Sequence, residues 1–210
     1  MLFGKWPLPK KNGRFLLPNK MDYIWYASYG SNLLYNRFMR YIEGGRLEGS
    51  SETEQGARDT SPPLKSMAYS IRHELYFAKE RSKWGEGGVA FIRNMQNAEI
   101  STHSKAYLVT TEQFEDVVCQ ENQVRSIKVD YELLLKQGYL DLLDDWYGRL
   151  LLVDFKESLP IVTFTAPLDW SAVEENRPSQ AYESVILKGL QELGFSRQQA
   201  LTYLTSRYPE

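Results

Sequence analysis

Glu121 is the residue whose type and position best fit a chemical role. It follows Phe114, Val117 and Val118 at the spacing i, i+3, i+4 and i+7, so the four side chains share one helix face. A face with three apolar residues must look inward, and burial favours the neutral form of a carboxyl group there. A carboxyl group that exchanges a proton near neutral pH can act as general acid and base. Alternatively, the helix ends after Val118 and Glu121 points to water.

A short polar turn, Tyr29-Gly30-Ser31-Asn32, is the second candidate. It follows Tyr23 to Ser28, which predicts a buried strand, and precedes Leu33 to Ile42, whose apolar periodicity predicts a helix. Gly30 would let a ligand approach the backbone, and the helix start would offer unpaired N–H groups to a carboxylate or an oxyanion. The alternative is a structural turn in which Ser31 and Asn32 cap the helix.

Other reactive residue types give weaker signals. Cys119 is the single cysteine and has no histidine near it in sequence, so we expect an inert thiol rather than a thiol enzyme. His73 and His103 belong to no Cys/His cluster, and no metal site is predicted. Asp144-Asp145 also lacks a nearby histidine, and together with Trp146-Tyr147 it predicts a solvated turn before a strand.

The remaining pattern predicts an α+β fold in which these candidates are positioned. Capping boxes at Thr110–Gln113 and Ser196–Gln199 predict two helix starts, and Ser179 opens a further helix that Gly194 ends. Apolar runs bounded by turn residues predict five more strands. These strands cover 73–79, 88–92, 105–109, 150–155 and 159–165.

Two segments lie outside this pattern. Residues 43–66 are rich in Gly, Ser, Thr and Pro, without periodicity, and are too long for an ordinary connection, so they predict a functional lid or a mobile loop. Residues 1–20 carry five basic side chains and no acidic one, which predicts a solvated arm or a strap along the domain. The sequence therefore predicts a basic arm over 1–20 and one domain over 21–210.

Composition excludes several function classes. Hydrophobic residues make up 42% and charged residues 25%, as in ordinary globular proteins. No apolar run approaches the ~18 residues of a membrane helix. Outside the arm, the chain has 20 basic and 27 acidic side chains, so a nucleic-acid partner is not expected. The lone cysteine and a leader interrupted by prolines predict a cytoplasmic protein, while oligomeric state is left open.

Three motifs in order carry a resemblance to a known family. Tyr26-Ala27-Ser28-Tyr29-Gly30-Ser31-Asn32-Leu33 resembles the Tyr-Gly-Ser-Asn-Leu signature of the γ-glutamylcyclotransferase-like superfamily. Gln120-Glu121 is similar to its Gln-Glu-Gly segment, which bears the catalytic acid/base. Pro178-Ser179-Gln180-Ala181-Tyr182 is similar to its Pro-Ser-x-x-Tyr helix start, whose tyrosine contacts substrate. The likeness spans residues 22–206.

The resemblance implies a fold and a reaction. The family fold is a small mixed β-barrel flanked by helices, with one pocket. Its enzymes cleave γ-glutamyl amides by attack of the substrate's own α-amine on the γ-carbonyl, which releases 5-oxoproline and an amine. Because the nucleophile belongs to the substrate, no serine, cysteine or lysine nucleophile and no metal or organic cofactor is needed. The implied partner is a small molecule with a γ-glutamyl group.

The resemblance also implies roles for individual residues. Glu121 would take a proton from the α-ammonium group and return it to the leaving amine. The backbone of the turn would hold the glutamyl group, and two tyrosines would line the pocket. The implied substrate-binding residues are Tyr26, Tyr29, Gly30, Ser31, Asn32 and Tyr182.

This chain departs from the family pattern at two places. Asn122 stands where the family usually has glycine, and the 43–66 loop is an insertion relative to a minimal member. Two other functions therefore stay open at this point. One is a non-catalytic module that binds a small carboxylated ligand and has no need of Glu121, and the other is an acyl or amine transferase or an amidohydrolase that uses the same pocket.

Overall fold

The structure is a computed structural model of the chain. It describes residues 10–11, 14–15, 21–46, 51–144, 146–167 and 174–209. Of the predicted arm over 1–20, it describes only two short strands that pair antiparallel, so the arm and the boundary at residue 21 remain predictions. Among these described residues, no helix is long and apolar enough to cross a membrane.

The described residues form an α+β fold whose elements are numbered in chain order. The strands are β1 (Lys10–Lys11), β2 (Arg14–Phe15), β3 (Tyr23–Ser28), β4 (Lys65–Ile71), β5 (His73–Ala78), β6 (Arg81–Ser82), β7 (Gly85–Glu86), β8 (Val89–Gln96), β9 (Thr102–Thr110), β10 (Tyr139–Asp141), β11 (Arg149–Lys156) and β12 (Leu159–Thr165). The α-helices are α1 (Tyr35–Glu43), α2 (Thr111–Glu121), α3 (Tyr131–Gln137), α4 (Gln180–Glu192) and α5 (Arg197–Thr205).

A mixed six-stranded sheet forms the centre of the fold, in the order β10-β11-β12-β3-β9-β4. The β12–β3 pair is parallel, and the other neighbours are antiparallel. Because β3 lies inside the sheet, its residues Ile24 to Ser28 are almost fully buried, as the apolar run predicts. The polar turn that follows β3 therefore starts from a fixed point within the core.

The family resemblance predicts a small β-barrel, but the described strands do not close into one. They form an open mixed sheet and separate two-stranded pairs. The pair β5–β8 lies against β12, but the contact there runs through a side chain. The Thr165 hydroxyl accepts from the Ile92 N–H at 3.1 Å and donates to the Ile92 carbonyl at 2.7 Å. A threonine side chain thus takes the place of the backbone ladder that closure would require.

Most predicted elements are confirmed, with shifted ends. Both capping boxes form, at Thr110–Gln113 and at Ser196–Gln199, and Ser179 caps α4. The helix predicted from Leu33 is split, because Leu34 adopts an extended conformation between a 3-10 helix over Ser31–Leu33 and α1. The sequence pattern does not predict helix α3 or the strands β1, β2, β4, β6, β7 and β10.

The segment predicted as a loop over 43–66 is held against α1 and α2 in its described part. Gly45 and Glu54 pair backbone to backbone, and the Ala57 N–H donates to the Ile42 carbonyl at 2.9 Å. Arg58 donates to the Asp116 carboxylate of α2 through its backbone N–H and through its guanidinium group. The segment ends earlier than expected, because β4 begins at Lys65.

Helix α4 fixes the position of the 3-10 helix by close approach. A Cβ atom on Gly189 would lie 2.5 Å from the Cβ of Leu33 and 2.6 Å from the Leu34 nitrogen. Such distances are shorter than van der Waals contact, so only glycine allows the two backbones to lie this close. The contact presses Ser31–Leu33 onto the core at the end of β3.

Candidate active site

One cavity brings all the predicted site residues together. It has a volume of about 440 Å³, within the range of small-molecule pockets. Its wall includes every candidate from the sequence: Tyr26, Tyr29, Gly30, Ser31, Asn32, Glu121 and Tyr182. The wall also includes residues that are not sequence-based candidates, among them Lys83, Trp84, Trp146, Tyr147 and Phe164.

Glu121 is the last residue of α2 and lies half-buried on the cavity wall. The three apolar residues of its stripe, Phe114, Val117 and Val118, are buried, so the helix face does turn inward as predicted. The Asn32 amide donates to Glu121 Oε1 at 3.2 Å. This hydrogen bond links the carboxylate directly to the polar turn.

The polar turn is packed tightly against Tyr182. The Tyr182 hydroxyl oxygen accepts a hydrogen bond from the Ala90 N–H at 3.3 Å. Burial raises the pKa of Tyr182 and the backbone N–H groups of Ala90 and Ser31 lower it, which leaves the pKa at about 12. The phenol is therefore neutral at physiological pH, and with the Ala90 N–H on its oxygen its own proton is available to another acceptor.

Replacing Gly30 by alanine is expected to lower the free energy of unfolding by about 1–3 kcal/mol, the usual cost of overpacking. A Cβ atom there would lie 2.7 Å from the Tyr182 hydroxyl oxygen, although the Gly30 φ of −111° suits alanine. Urea denaturation measures the change. The double variant Gly30→Ala with Tyr182→Phe lacks the clashing oxygen, so it should be less destabilised than the two single changes added together. Simple additivity would contradict this account.

Tyr26 and Tyr29, the two tyrosines of the signature, form hydrogen bonds with other protein groups through their hydroxyl groups. Tyr29 donates to the Phe164 carbonyl at 2.7 Å, and the Tyr26 hydroxyl accepts from the Asn32 amide at 3.2 Å. Burial and, next, the Glu121 charge raise the pKa of Tyr26 well above its ordinary value. Tyr26 is therefore a neutral wall residue beside the carboxylate.

Asn122 caps α2 and is hydrogen-bonded to Tyr147, which lines the cavity. Its side-chain amide donates to the Tyr147 carbonyl at 3.3 Å and accepts from the Tyr147 N–H at 3.2 Å. The Tyr147 hydroxyl in turn donates to the Ala90 carbonyl at 3.0 Å. The residue that departs from the family glycine thus fixes a wall of the cavity next to Glu121.

The solvated turn predicted at Asp144-Asp145 is confirmed in its described part, because Asp144 is exposed and a turn over 146–147 precedes β11. Tyr147 is buried and Trp146 half-buried, and both line the cavity, while Asp144 is exposed. Asp145 lies outside the described residues. Aromatic side chains favour burial, and here the cavity wall buries them while the acidic residue before them stays in solvent.

A buried ionic cluster lies behind the carboxylate. Arg37 of α1 is fully buried and pairs with Glu54 Oε1 at 2.6 Å, and Lys83 Nζ reaches the same oxygen at 2.9 Å. Lys83 Nζ also donates to the Tyr41 hydroxyl at 2.8 Å. Burial and, less strongly, the Glu121 charge raise the pKa of Tyr41 well above its ordinary value. Two cations thus share one carboxylate oxygen close to Glu121.

Gln120, the neighbour of Glu121, ties three segments together. Its amide donates to the Tyr41 carbonyl at 2.9 Å, and its oxygen accepts from the Gly56 N–H at 3.1 Å. The end of α1, the 43–66 segment and the end of α2 are therefore joined at one side chain. These hydrogen bonds hold the C-terminal end of α2 in place and so help to position Glu121.

The remaining reactive residues do not enter the cavity. Cys119 is buried, and burial raises the pKa of its thiol, as expected for an inert cysteine. His73 is buried with Nδ1 at 2.8 Å from the Arg93 carbonyl oxygen. Within the described part of the chain, no group of three or more His, Cys, Asp or Glu residues is arranged to hold a metal ion.

Comparison with solved structures finds cyclotransferases among the similar proteins. A γ-glutamyl cyclotransferase and an uncharacterized protein from Homo sapiens each match with a TM-score of 0.49 and 16% identity, covering 90% of this chain and 90% of theirs. A glutathione-specific γ-glutamyl cyclotransferase from yeast matches with a TM-score of 0.40 and 12% identity, over 89% of this chain and 95% of its own.

Comparison with curated proteins finds a longer relative. The chain is 36% identical over 204 residues to histone deacetylase 5 of Arabidopsis thaliana, an alignment that covers 88% of this chain. The same alignment covers 30% of that protein, so this chain spans less than a third of its curated relative. No family model matches the chain.

Proposed function

We propose that this chain is a member of the γ-glutamylcyclotransferase-like superfamily and catalyses cyclotransfer. The substrate is a γ-glutamyl amide or peptide with a free α-amine, and the products are 5-oxoproline and the released amine. The observation that carries the proposal is the position of Glu121: its half-buried carboxylate lies on the same cavity wall as the Gly30–Ser31 turn. A proton-accepting group and a close backbone approach are the two features that this chemistry needs.

The proposed reaction conserves every atom of the substrate. Glu121 takes a proton from the substrate α-ammonium group, and the freed amine forms a bond to the γ-carbonyl carbon. The bond from that carbon to the amide nitrogen then breaks, and Glu121 returns the proton to the leaving amine. The ring nitrogen gives up its second proton to the released amine, which leaves as an ammonium ion. Water is not consumed, and the cavity needs to hold only the folded γ-glutamyl group and the first atoms of the amine.

Tyr182 is placed to stabilise the transition state in this scheme. Its oxygen already accepts from the Ala90 N–H, so its proton can be donated to the γ-carbonyl oxygen as negative charge develops there. Tyr26, Tyr29 and Asn32 would shape the pocket, with Asn32 also bonded to Glu121.

The proposal is tested with a panel of γ-glutamyl peptides and γ-glutamyl amines. We expect at least one member to yield 5-oxoproline, detected by mass spectrometry, together with an equal amount of free amine. The matched control is the same substrate with its α-amine acetylated. It should not react, because the acetylated nitrogen is no longer a nucleophile.

The control substrate also separates the competing functions. An amidohydrolase would cleave the acetylated compound with water and release an acetylated glutamate. A transferase would need an added amine acceptor and would form a new γ-glutamyl amide. A binding module would turn over nothing and would bind a panel member equally well as the unaltered chain and as Glu121→Gln. Any of these three results would overturn cyclotransfer.

A further inference from the structure

We propose that Lys83 binds a carboxylate group on the amine half of the substrate, so that γ-glutamyl amino acids and peptides are preferred over γ-glutamyl amines. This inference rests on the proposed function and adds the chemical class of the leaving group. Its structural basis is a cation on the cavity wall that pairs with Glu54 rather than with Glu121. None of the motifs that suggested the function contains Lys83.

The Lys83 ammonium group keeps one donor for a ligand. An ammonium group carries three N–H donors. Two of them are used within the protein, one toward Glu54 Oε1 at 2.9 Å and one toward the Tyr41 hydroxyl at 2.8 Å. The side chain lines the cavity and is 14% exposed. The third donor is therefore available to an acceptor that enters the cavity.

The ionic cluster around Lys83 has an excess of positive charge. Arg37 and Lys83 share one oxygen of Glu54, at 2.6 Å and 2.9 Å, so two cations face a single carboxylate. Arg37 is fully buried, whereas Lys83 reaches the cavity. The charge that Glu54 leaves unneutralised is therefore offered to a ligand through Lys83. A carboxylate bound there would form a charge-assisted hydrogen bond with the ammonium group.

The backbone at Lys83 is held from two sides. Lys83 and Trp84 are the two residues between β6 and β7. The Lys83 carbonyl accepts from the N–H and the hydroxyl of Ser51, at 3.1 Å and 3.0 Å. The Trp84 carbonyl accepts from the Ser179 hydroxyl at 2.9 Å. The ammonium group is thus positioned before a ligand arrives, which lowers the entropy cost of binding.

Lys83 lies on a side of the cavity that opens to solvent. Ser51 and Arg81 line the cavity beside Lys83 and are exposed, whereas Ser31 of the polar turn is buried. In the proposed reaction the γ-glutamyl group lies at this turn and at Glu121, so the amine half extends toward the solvent side. A carboxylate on the amine half is therefore the group that meets Lys83.

The test compares γ-glutamylalanine with γ-glutamylalaninamide, in which a neutral amide replaces the carboxylate of the amine half. With the unaltered chain, kcat/KM should be about 10- to 100-fold higher for the acid, the usual effect of a hydrogen bond between charged groups. Lys83→Met should remove this preference by lowering kcat/KM for the acid, and should leave kcat/KM for the amide within about threefold. Lys83→Arg should keep part of the preference because the cation remains.

Lys105→Met is the matched control for loss of a shielded lysine. The Lys105 side chain is 11% exposed and pairs with Glu192 at 2.7 Å, and Lys105 is not a wall residue of the cavity. This change should lower thermal stability and leave the preference for the acid unaltered. Equal kcat/KM for acid and amide in the unaltered chain would overturn the inference while the proposed function stands. An equal fall for both compounds in Lys83→Met would do the same, because it would place Lys83 at the glutamyl α-carboxylate.

Binding measurements separate this inference from the proposed function. Calorimetry should show that the unaltered chain binds γ-glutamylalanine more tightly than the amide, and that Lys83→Met binds the two alike. If this preference appears in binding without any release of 5-oxoproline, the proposed function fails and the carboxylate subsite stands. If the unaltered chain neither turns over nor binds either compound, both fail.

Discussion

Under the proposed function, replacing Glu121 by glutamine should strongly slow the release of 5-oxoproline. Glutamine cannot accept a proton from the α-ammonium group, and a positioned acid/base contributes about 10²- to 10⁴-fold to such reactions, so kcat should fall by that factor. Its side-chain oxygen can still accept from the Asn32 amide, and the residue keeps its size. We therefore expect the dissociation constant of a bound γ-glutamyl compound, measured by calorimetry, to change little.

The control for this variant is Glu112→Gln on the same helix. Glu112 lies in the first turn of α2, at the opposite end of the helix from Glu121. Its side chain is half exposed and forms an ion pair with Arg58 at 3.0 Å. Exposed pairs of this kind contribute about 0–1 kcal/mol, so both stability and kcat should remain near those of the unaltered chain. Full kcat in Glu121→Gln, with a normal thermal transition, would show that the carboxylate is not the acid/base.

The central features of the site follow from local sequence pattern. The apolar stripe of α2 predicted that Glu121 faces inward, and the strand–turn–helix order predicted where the Gly30 turn stands; both positions are confirmed. These features depend on periods of two and 3.6 residues, which are readable within a dozen positions. Their chemical roles remain predictions until turnover is measured.

The supporting cluster could be found only in part. Arg37 lies three residues after Leu34 and four before Tyr41, so the same helical spacing that singled out Glu121 also places Arg37 on the apolar face of α1. Glu54 and Lys83 lie in irregular or very short elements without periodicity. Their contact joins positions 29 residues apart, and no local pattern specifies such a pair.

Strand β4 was missed although its signal was present. Met67, Tyr69 and Ile71 alternate with the small residues Ser66, Ala68 and Ser70, which is the pattern of a half-exposed strand at a sheet edge. The turn-rich composition of the preceding residues masked this alternation. The open sheet could not be anticipated, because the Thr165 contact with Ile92 depends on how two distant strands meet.

Replacing Glu54 by glutamine should produce the largest loss of stability. Arg37 is fully buried and the Lys83 side chain is 14% exposed, and both would lose the carboxylate that neutralises them. Removing one partner of a buried ion pair costs about 3–5 kcal/mol, because the other charge remains in a medium of low polarity. Urea denaturation at neutral pH measures the loss. Glu43→Gln, which removes a half-exposed pair with Arg40, is the control and should change stability by less than about 1 kcal/mol.

The same variant should change how stability depends on pH. Burial alone would raise the pKa of Glu54, but Arg37 and Lys83 outweigh it, so the pKa lies below the ordinary value of 4.5. A group whose folded pKa is lowered stabilises the fold above its unfolded pKa, and this contribution is lost as the pH falls through the folded value. The difference in unfolding free energy between the unaltered chain and Glu54→Gln should therefore be constant above about pH 5 and shrink in more acidic solution. A difference that grows on acidification would contradict the ion pair.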